Sequence, residues 1–219
     1  PSTLFNGMIS PLIPYTMKGV VWYQGENNAF RHKEYGELFS LLISDWRSKW
    51  DNDFSFYYVQ IAPYFNYYNS NAPLREVQRK ALEIPKTGMV VTLDIGEKYD
   101  IHPSNKHDVG FRLARYALKN DYKIDLIDSG PLYISQSIHE DVIKVYFKHT
   151  GDGLVIDENG YSEFEIAGMD KNYFEADVVN QNDFLEVFSD DVKNPLYVRY
   201  AWSDTSSASL FNSEGLPAS

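Results

Sequence analysis

No cysteine occurs among the 219 residues. That absence removes disulfide bridges, thiolate nucleophiles and cysteine-ligated zinc together, and leaves the redox compartment open. Basic residues are scarce: 20 Lys and Arg stand against 31 Asp and Glu, for a net charge of −11. A nucleic-acid face needs the opposite balance, so no nucleic-acid partner is expected. No apolar run approaches the ~20 residues of a spanning helix, so no membrane partner is expected either. The opening PSTLFNGMIS lacks the basic start and apolar core of a signal peptide and reads as an internal stretch of a longer sequence. No pair of the five histidines has the helical spacing of a metal site, and no metal or other cofactor is expected. There is no internal repeat and no low-complexity segment beyond the loop SDTSSAS (203–209).

What is present is an ordinary folded composition, 43% hydrophobic and 23% charged, with aromatics at 16%. Core packing accounts for most of those rings; the rest suit β-rich surfaces and clefts that grip sugars. The first half alternates element types. KGVVWYQ (18–24) is predicted as a short buried strand, FSFYYVQIA (54–62) as the next, and GMVVTLDIG (88–96) as a third, covered on both faces. Between and after them, YGELFSLLISDWRSKW (35–50) places Tyr35, Leu38, Phe39, Leu42 and Trp46 on one helical face. APLREVQRKALEI (72–84) aligns Leu74, Val77 and Ala81, with Pro73 near its first turn. SNKHDVGFRLARYALKN (104–120) aligns Val109, Leu113 and Ala117, with Ser104 as the expected N-cap. Strand and helix in alternation imply a parallel sheet in an α/β fold. After about Ile127 the pattern changes to short alternating runs, among them GPLYISQSIHEDVIKVYFKHT, YSEFEIAGM, YFEADVVNQNDFLEVFS and PLYVRYAW, punctuated by Gly, Asn, Asp and Pro. These predict a small antiparallel β unit, most simply a sandwich. The expected division is 1–127 and 128–219.

Ligands of open parallel sheets bind beyond the carboxyl ends of the strands. The polar residues expected there are Gln24, Glu26, Asn27 and Asn28, then Gln60, then Asp94, Asp100 and His102. His102 is the natural general base, because an imidazole titrates near neutral pH and a nearby carboxylate can orient it. The competing reading is a surface loop histidine ahead of a helix cap. The turn in WYQGENN (22–28) gathers amides and backbone N–H groups that can meet an oxyanion, or it simply closes a strand. Arg75 and Gln78 share a helix face and could contact a polar ligand; a surface ion pair and a capping contact are equally open to them.

Taken together, PSTLFNGMISPLIPY, GVVWYQGENN, LISDWRSKW, LREVQRKAL, TGMVVTLDIGEKYDIHPSNKHDVGFRLARYAL and LFNSEGLPAS resemble the sialate O-acetylesterase family of SGNH-type esterases. The resemblance runs from the start of the chain to its end, and its WYQGE and DIHPxNK signatures are specific. It implies an SGNH-like α/β/α parallel sheet, of which this chain holds the C-terminal portion, followed by the small antiparallel β domain. It implies a serine hydrolase that removes O-acetyl groups from sialic acids or other sugars, with an O-acetylated sugar as substrate and an extracytoplasmic (periplasmic or secreted) location. Residue by residue, His102 falls on the catalytic histidine, and Gln24, Gly25 and Glu26 fall on the WYQGE block, where Gln24 is the expected oxyanion donor.

The sequence departs from the family in three places. The superfamily's acid usually lies three residues before the histidine; that position is Tyr99, while Asp100 is two before, so Asp94 or a backbone carbonyl are alternatives for orienting the ring. Position 27 is Asn where the family often has Ser. The Gly-Gln-Ser-Asn-Met block that carries the family's nucleophile does not occur in these 219 residues. His102 therefore looks like a base whose serine lies elsewhere, and this chain by itself is expected to be inactive. A sheet without that strand exposes apolar surface and unpaired backbone, so the chain is expected to pair with a missing N-terminal segment or with itself. Two other readings remain: a catalytically silent carbohydrate-binding or structural module built on the aromatic residues and the β unit, and an esterase of the acetyl-xylan type.

Overall fold

In the computed structural model, which describes residues 2–68, 70–157 and 162–219, three parallel strands carry the first half of the chain. They are β1 (Gly19–Trp22), β2 (Ser55–Val59) and β3 (Thr87–Val90), ordered β1-β2-β3, with Val20 opposite Phe56 and Tyr58 opposite Met89. Three helices connect and follow them: α1 (His32–Trp50), α2 (Asn71–Lys80) and α3 (Lys106–Asn120). The alternating side chains of β2 decide the layering. Phe56 and Tyr58 meet Tyr35, Phe39 and Ile43 of α1 and Leu74 of α2 on one face. Tyr57 and Val59 meet Val109 and Tyr116 of α3 on the other. All five β2 residues are buried, as a strand covered on both faces requires.

The helix termini follow local chemistry. α1 stops where Asp51 turns left-handed (φ 47°) and its N–H returns to the carbonyls of Arg47 and Ser48. α3 begins one residue later than expected. Its cap is Asn105, not Ser104: the Asn105 Oδ1 accepts the Asp108 N–H at 3.1 Å, and the Asn105 amide donates to the Asp108 carboxylate at 2.8 Å. That reciprocal pair satisfies two groups where a serine hydroxyl would satisfy one. Leu38, placed by its spacing on the buried face of α1, is 54% exposed.

β1 also differs from expectation. It is an edge strand rather than a buried one, and Val21 is 65% exposed. The cause is topological: α3 packs across β2 and β3, which leaves the same face of β1 uncovered.

Beyond residue 127 all pairing among the described residues is antiparallel. β4 (Leu132–His139), β5 (Val142–Lys148), β10 (Phe184–Phe188) and β9 (Asp177–Asn180) form one sheet in that order. β11 (Tyr197–Tyr200), β7 (Phe164–Ala167) and β8 (Tyr173–Glu175) form a second, and β12 (Leu210–Asn212) pairs with β6 (Leu154–Ile156). Ile143, Val145, Ile166, Leu185, Val187 and Leu210 share one apolar core between them. Tyr161, the first residue of one expected run, lies outside the described residues. Contacts run between residues on either side of position 127. Ala201 and Ala208 belong to the core of the parallel sheet, and the Ala208 N–H donates to the Leu93 carbonyl at 3.3 Å.

Candidate active site at the carboxyl rim of the parallel sheet

Each strand of the parallel sheet hands its chain to a loop at the same rim. After β1 comes the turn Gln24–Asn28. The Tyr35 hydroxyl donates to the Gln24 carbonyl at 3.0 Å, the Gln24 Nε2 donates to the Asn28 Oδ1 at 2.7 Å, and the Asn28 N–H closes on the Gly25 carbonyl at 2.7 Å. Gly25 is required there. Its φ is 158°, and a Cβ would lie 3.0 Å from Ile61 Cγ2 and 3.1 Å from Gln78 Nε2. Glu26 and Asn27 open a short 3-10 helix (Glu26–Arg31), with Glu26 partly buried and Asn27 exposed.

The loops after β2 and β3 are laced to this turn and to each other. The Tyr64 hydroxyl donates to the Glu26 carbonyl at 3.4 Å, and the Phe65 N–H donates to the Lys98 carbonyl at 2.7 Å. Gly96 sits so tightly on Pro63 that a Cβ would lie 2.5 Å from its ring. Across the rim, the Lys106 ammonium lies 4.9 Å from the centre of the Tyr23 ring, which sets the start of α3 beside the residue preceding Gln24. Burial, and then the charge of Glu26, push the Tyr23 hydroxyl up to about 12, so it stays protonated and a hydrogen-bond donor at neutral pH.

His102 stands on the third loop. Its side chain is 87% exposed, and its Nδ1 lies 3.9 Å from the Asp100 Oδ1. The same Asp100 oxygen accepts the His102 backbone N–H at 2.8 Å, so Asp100 fixes the backbone that carries the ring. Asp94, the alternative orienting acid, is committed elsewhere. Both its oxygens are held by Arg112, at 2.7 and 2.5 Å, and Arg112 also donates to the Val91 carbonyl at 2.7 Å. That pair fixes the beginning of the loop; Glu97 fixes its end by accepting the Ser104 N–H at 2.7 Å.

The Glu97 restraint is pH-dependent. Accepting the Ser104 N–H holds the Glu97 carboxyl below its ordinary 4.5. A folded value below the unfolded one means that the restraint is present above pH 4.5 and is lost as the pH falls through the folded value. Amide exchange at Ser104, normalised for intrinsic rate, should accelerate as the pH falls below the ordinary carboxyl value of 4.5, and Glu97→Gln should already raise it at neutral pH. An unchanged protection factor between pH 3 and 7 would show that Glu97 does not hold the loop.

Arg75 and Gln78 do share a face of α2, and it is the inner one. Gln78 is buried: its Oε1 accepts the Ile61 N–H at 2.9 Å, its Nε2 donates to the Val59 carbonyl at 3.3 Å, and its own carbonyl accepts the Tyr58 hydroxyl. It therefore braces the end of β2 and the floor under Gly25. The Arg75 Nη2 donates to the carbonyls of Ala201 at 2.8 Å and Ser203 at 2.6 Å. Neither contact was legible from spacing, because the partners lie 17 and about 127 positions away in the chain. Tyr35 and Tyr64, which brace the turn through their hydroxyls, were missed as well; their positions read as core aromatics. Among the described residues no group of three or more His, Cys, Asp or Glu could hold a metal ion.

The first half of the chain is thus an α/β unit, a parallel sheet with helices on both faces and its polar loops gathered at one rim. Residues 4–119 match the model of the carbohydrate esterase family of sialic acid-specific acetylesterases, and the chain belongs to that family. Mouse sialate O-acetylesterase is 34% identical over 154 residues, a match covering 60% of this chain and 28% of the mouse protein. The human sialate O-acetylesterase is 31% identical, with 60% and 29% covered. The crystal structure of a carbohydrate acetylesterase from Xanthomonas citri superposes with a TM-score of 0.93 at 38% identity, covering 100% of this chain and 53% of that one. The chain thus spans less than a third of the curated relatives it matches and about half of the bacterial structure.

Proposed function

We propose that this chain supplies the general base and the oxyanion-binding turn of a serine-type O-acetylesterase that releases acetate from acetylated sugars, sialates among them. The observation that supports the reading is the rim itself: an exposed imidazole on a loop fixed at both ends, at the same carboxyl rim as the amide-rich turn after β1, in a chain of this family. In the proposed cycle a serine hydroxyl attacks the acetyl carbonyl while His102 takes its proton. The tetrahedral oxyanion is met by neutral donors, Gln24 among them, whose amide is already steadied by Asn28. His102 then returns the proton to the departing sugar oxygen, leaving an acetyl-serine, and deprotonates the water that frees acetate. Asp100 orients His102 through the backbone, Glu26 contributes its charge from the turn, and Asn27 is a substrate contact.

The serine is assigned to a segment outside these 219 residues, because the Gly-Gln-Ser-Asn-Met block is absent from them. The bare face of β1 around Val21 fits the docking of such a segment, or of a second copy. Among the described residues no helix is long and apolar enough to cross a membrane; an extracytoplasmic location is part of the proposal. The test is acetate release by the protein that carries the serine block from O-acetylated sialate, acetylated xylan and a chromogenic acetyl ester. Gln24→Ala should lower kcat by about 100-fold with KM nearly unchanged, as loss of one oxyanion donor does. Equal loss in KM would make Gln24 a ground-state contact, and no acetate release from any of the three would remove the esterase reading.

A further inference from the structure

A cavity of about 580 Å³ lies between α2 and the antiparallel sheets, and none of Gln24, Glu26, Asn27, Asp100 or His102 lines it. Its walls include Gln60, Arg75, Lys80, Tyr133, Arg199 and Trp202. A protein of net charge −11 has gathered cations here. Arg199 is balanced by Glu165, through bonds of 2.8 and 2.9 Å, and its guanidinium lies 3.8 Å from the centre of the Tyr173 ring and 5.9 Å from that of Trp202. Lys80 lies 3.4 Å from Glu76 and is 62% exposed.

Arg75 is different. The residue is 4% exposed, its Nη2 is spent on two carbonyls, and its Nη1 is buried with no hydrogen-bond partner. Burial pushes it down to about 10; the fields of Asp204, whose Oδ2 is likewise buried without a hydrogen-bond partner, and of Glu163 act the other way. Close by, the Gln60 Oε1 is also buried and unpartnered. An unspent guanidinium N–H at such depth is costly unless an anion offsets it. Tyr133 (39% exposed) and Trp202 (37%) line the cavity, and flat aromatic faces of this kind stack on the apolar faces of sugar rings.

We propose that this cavity is a second, non-catalytic binding site for a carboxylated sugar, with Arg75 as the deep partner of the carboxylate and Trp202 as a stacking wall. The site goes beyond the esterase reading and does not depend on it: binding needs no serine and no turnover, so it is measured on this chain directly.

The four tryptophan indole N–H signals provide the readout. Trp22 meets Trp46 edge-on and Trp46 meets Trp50 at a tilt, with centroids 6.0 and 5.9 Å apart, and of the four only Trp202 lines the cavity. Titrating N-acetylneuraminate should shift the Trp202 indole signal saturably and leave the other three in place. Its methyl ester, which keeps the ring and loses the charge, should bind at least tenfold more weakly. Arg75→Gln should abolish the saturable shift. Because Arg75 also pins residues 201 and 203, Trp202→Ala serves as a second variant, read by calorimetry, and should weaken binding about tenfold. A flat titration of the folded wild-type chain, equal affinity for acid and ester, or calorimetric affinity unaltered by Trp202→Ala would each overturn the proposal.

Discussion

Replacing His102 with alanine should cut kcat for acetyl-ester hydrolysis by about 10⁴-fold, in the protein that carries the serine block, while KM changes by less than about threefold. The magnitude follows from the proton. A serine hydroxyl is a weak nucleophile at neutral pH, and its attack becomes fast only when a base removes the proton as the new bond forms. The proposed oxyanion turn survives the substitution, so binding and part of the rate enhancement should remain. Exposure makes the experiment clean. At 87% exposed, the ring contributes almost nothing to packing, and the contact that fixes the loop here belongs to the backbone N–H, which alanine keeps. The melting temperature should therefore stay within about 1 °C. A small base such as imidazole, added to the variant, should restore part of the rate. Wild-type kcat in the variant would remove His102 from the mechanism; a large fall in stability would mean that the ring is structural after all.

Much of the fold was legible because the parallel sheet uses strong, local signals. β2 and β3 are continuous apolar runs, and the helical faces of α1 and α2 show their period plainly. What failed did so for identifiable reasons. β1 reads as a buried strand because Val20, Val21 and Trp22 are apolar, yet burial depends on which helix crosses the strand, and no local pattern encodes the path of α3. Ser104 is as good a cap as Asn105 by residue type; the choice falls to Asn105 because Asp108 stands three residues on and can answer it. Asp94, Asp100 and Glu97 look equivalent in sequence, three acids around one histidine. Only the packing of α3 on β3 reveals that Asp94 is spent on Arg112, that Asp100 serves the backbone of His102, and that Glu97 serves the backbone of Ser104. The antiparallel half was legible as class but not as topology: β10 pairs β5 and β11 pairs β7 across intervals that leave no periodic trace.

The Arg112–Asp94 pair carries the second large effect, this time on stability. The two side chains are 9% and 19% exposed, joined by two hydrogen bonds, and Arg112 spends a third on the Val91 carbonyl at the end of the central layer. Arg112→Met keeps the length of the side chain and its contact with the sheet but strands a nearly buried carboxylate. Breaking such a pair on one side costs about 3 kcal/mol, because the remaining charge loses its partner without regaining water. Removing both charges costs less than the single change, since no charge is then left buried and unpaired and only the Val91 carbonyl has lost its donor. Arg112→Met with Asp94→Leu should therefore recover more than half of the loss in a denaturant titration. The catalytic consequence separates from the stability term. Asp94 begins the loop that carries His102, so the double variant should keep most of its stability and still lose activity, through kcat more than KM, because the proposed base is no longer held in register with the turn after β1. If the double variant is as unstable as Arg112→Met alone, the coupling lies in the Val91 contact and not in the ion pair. If it regains both stability and full turnover, the pair has no part in placing His102.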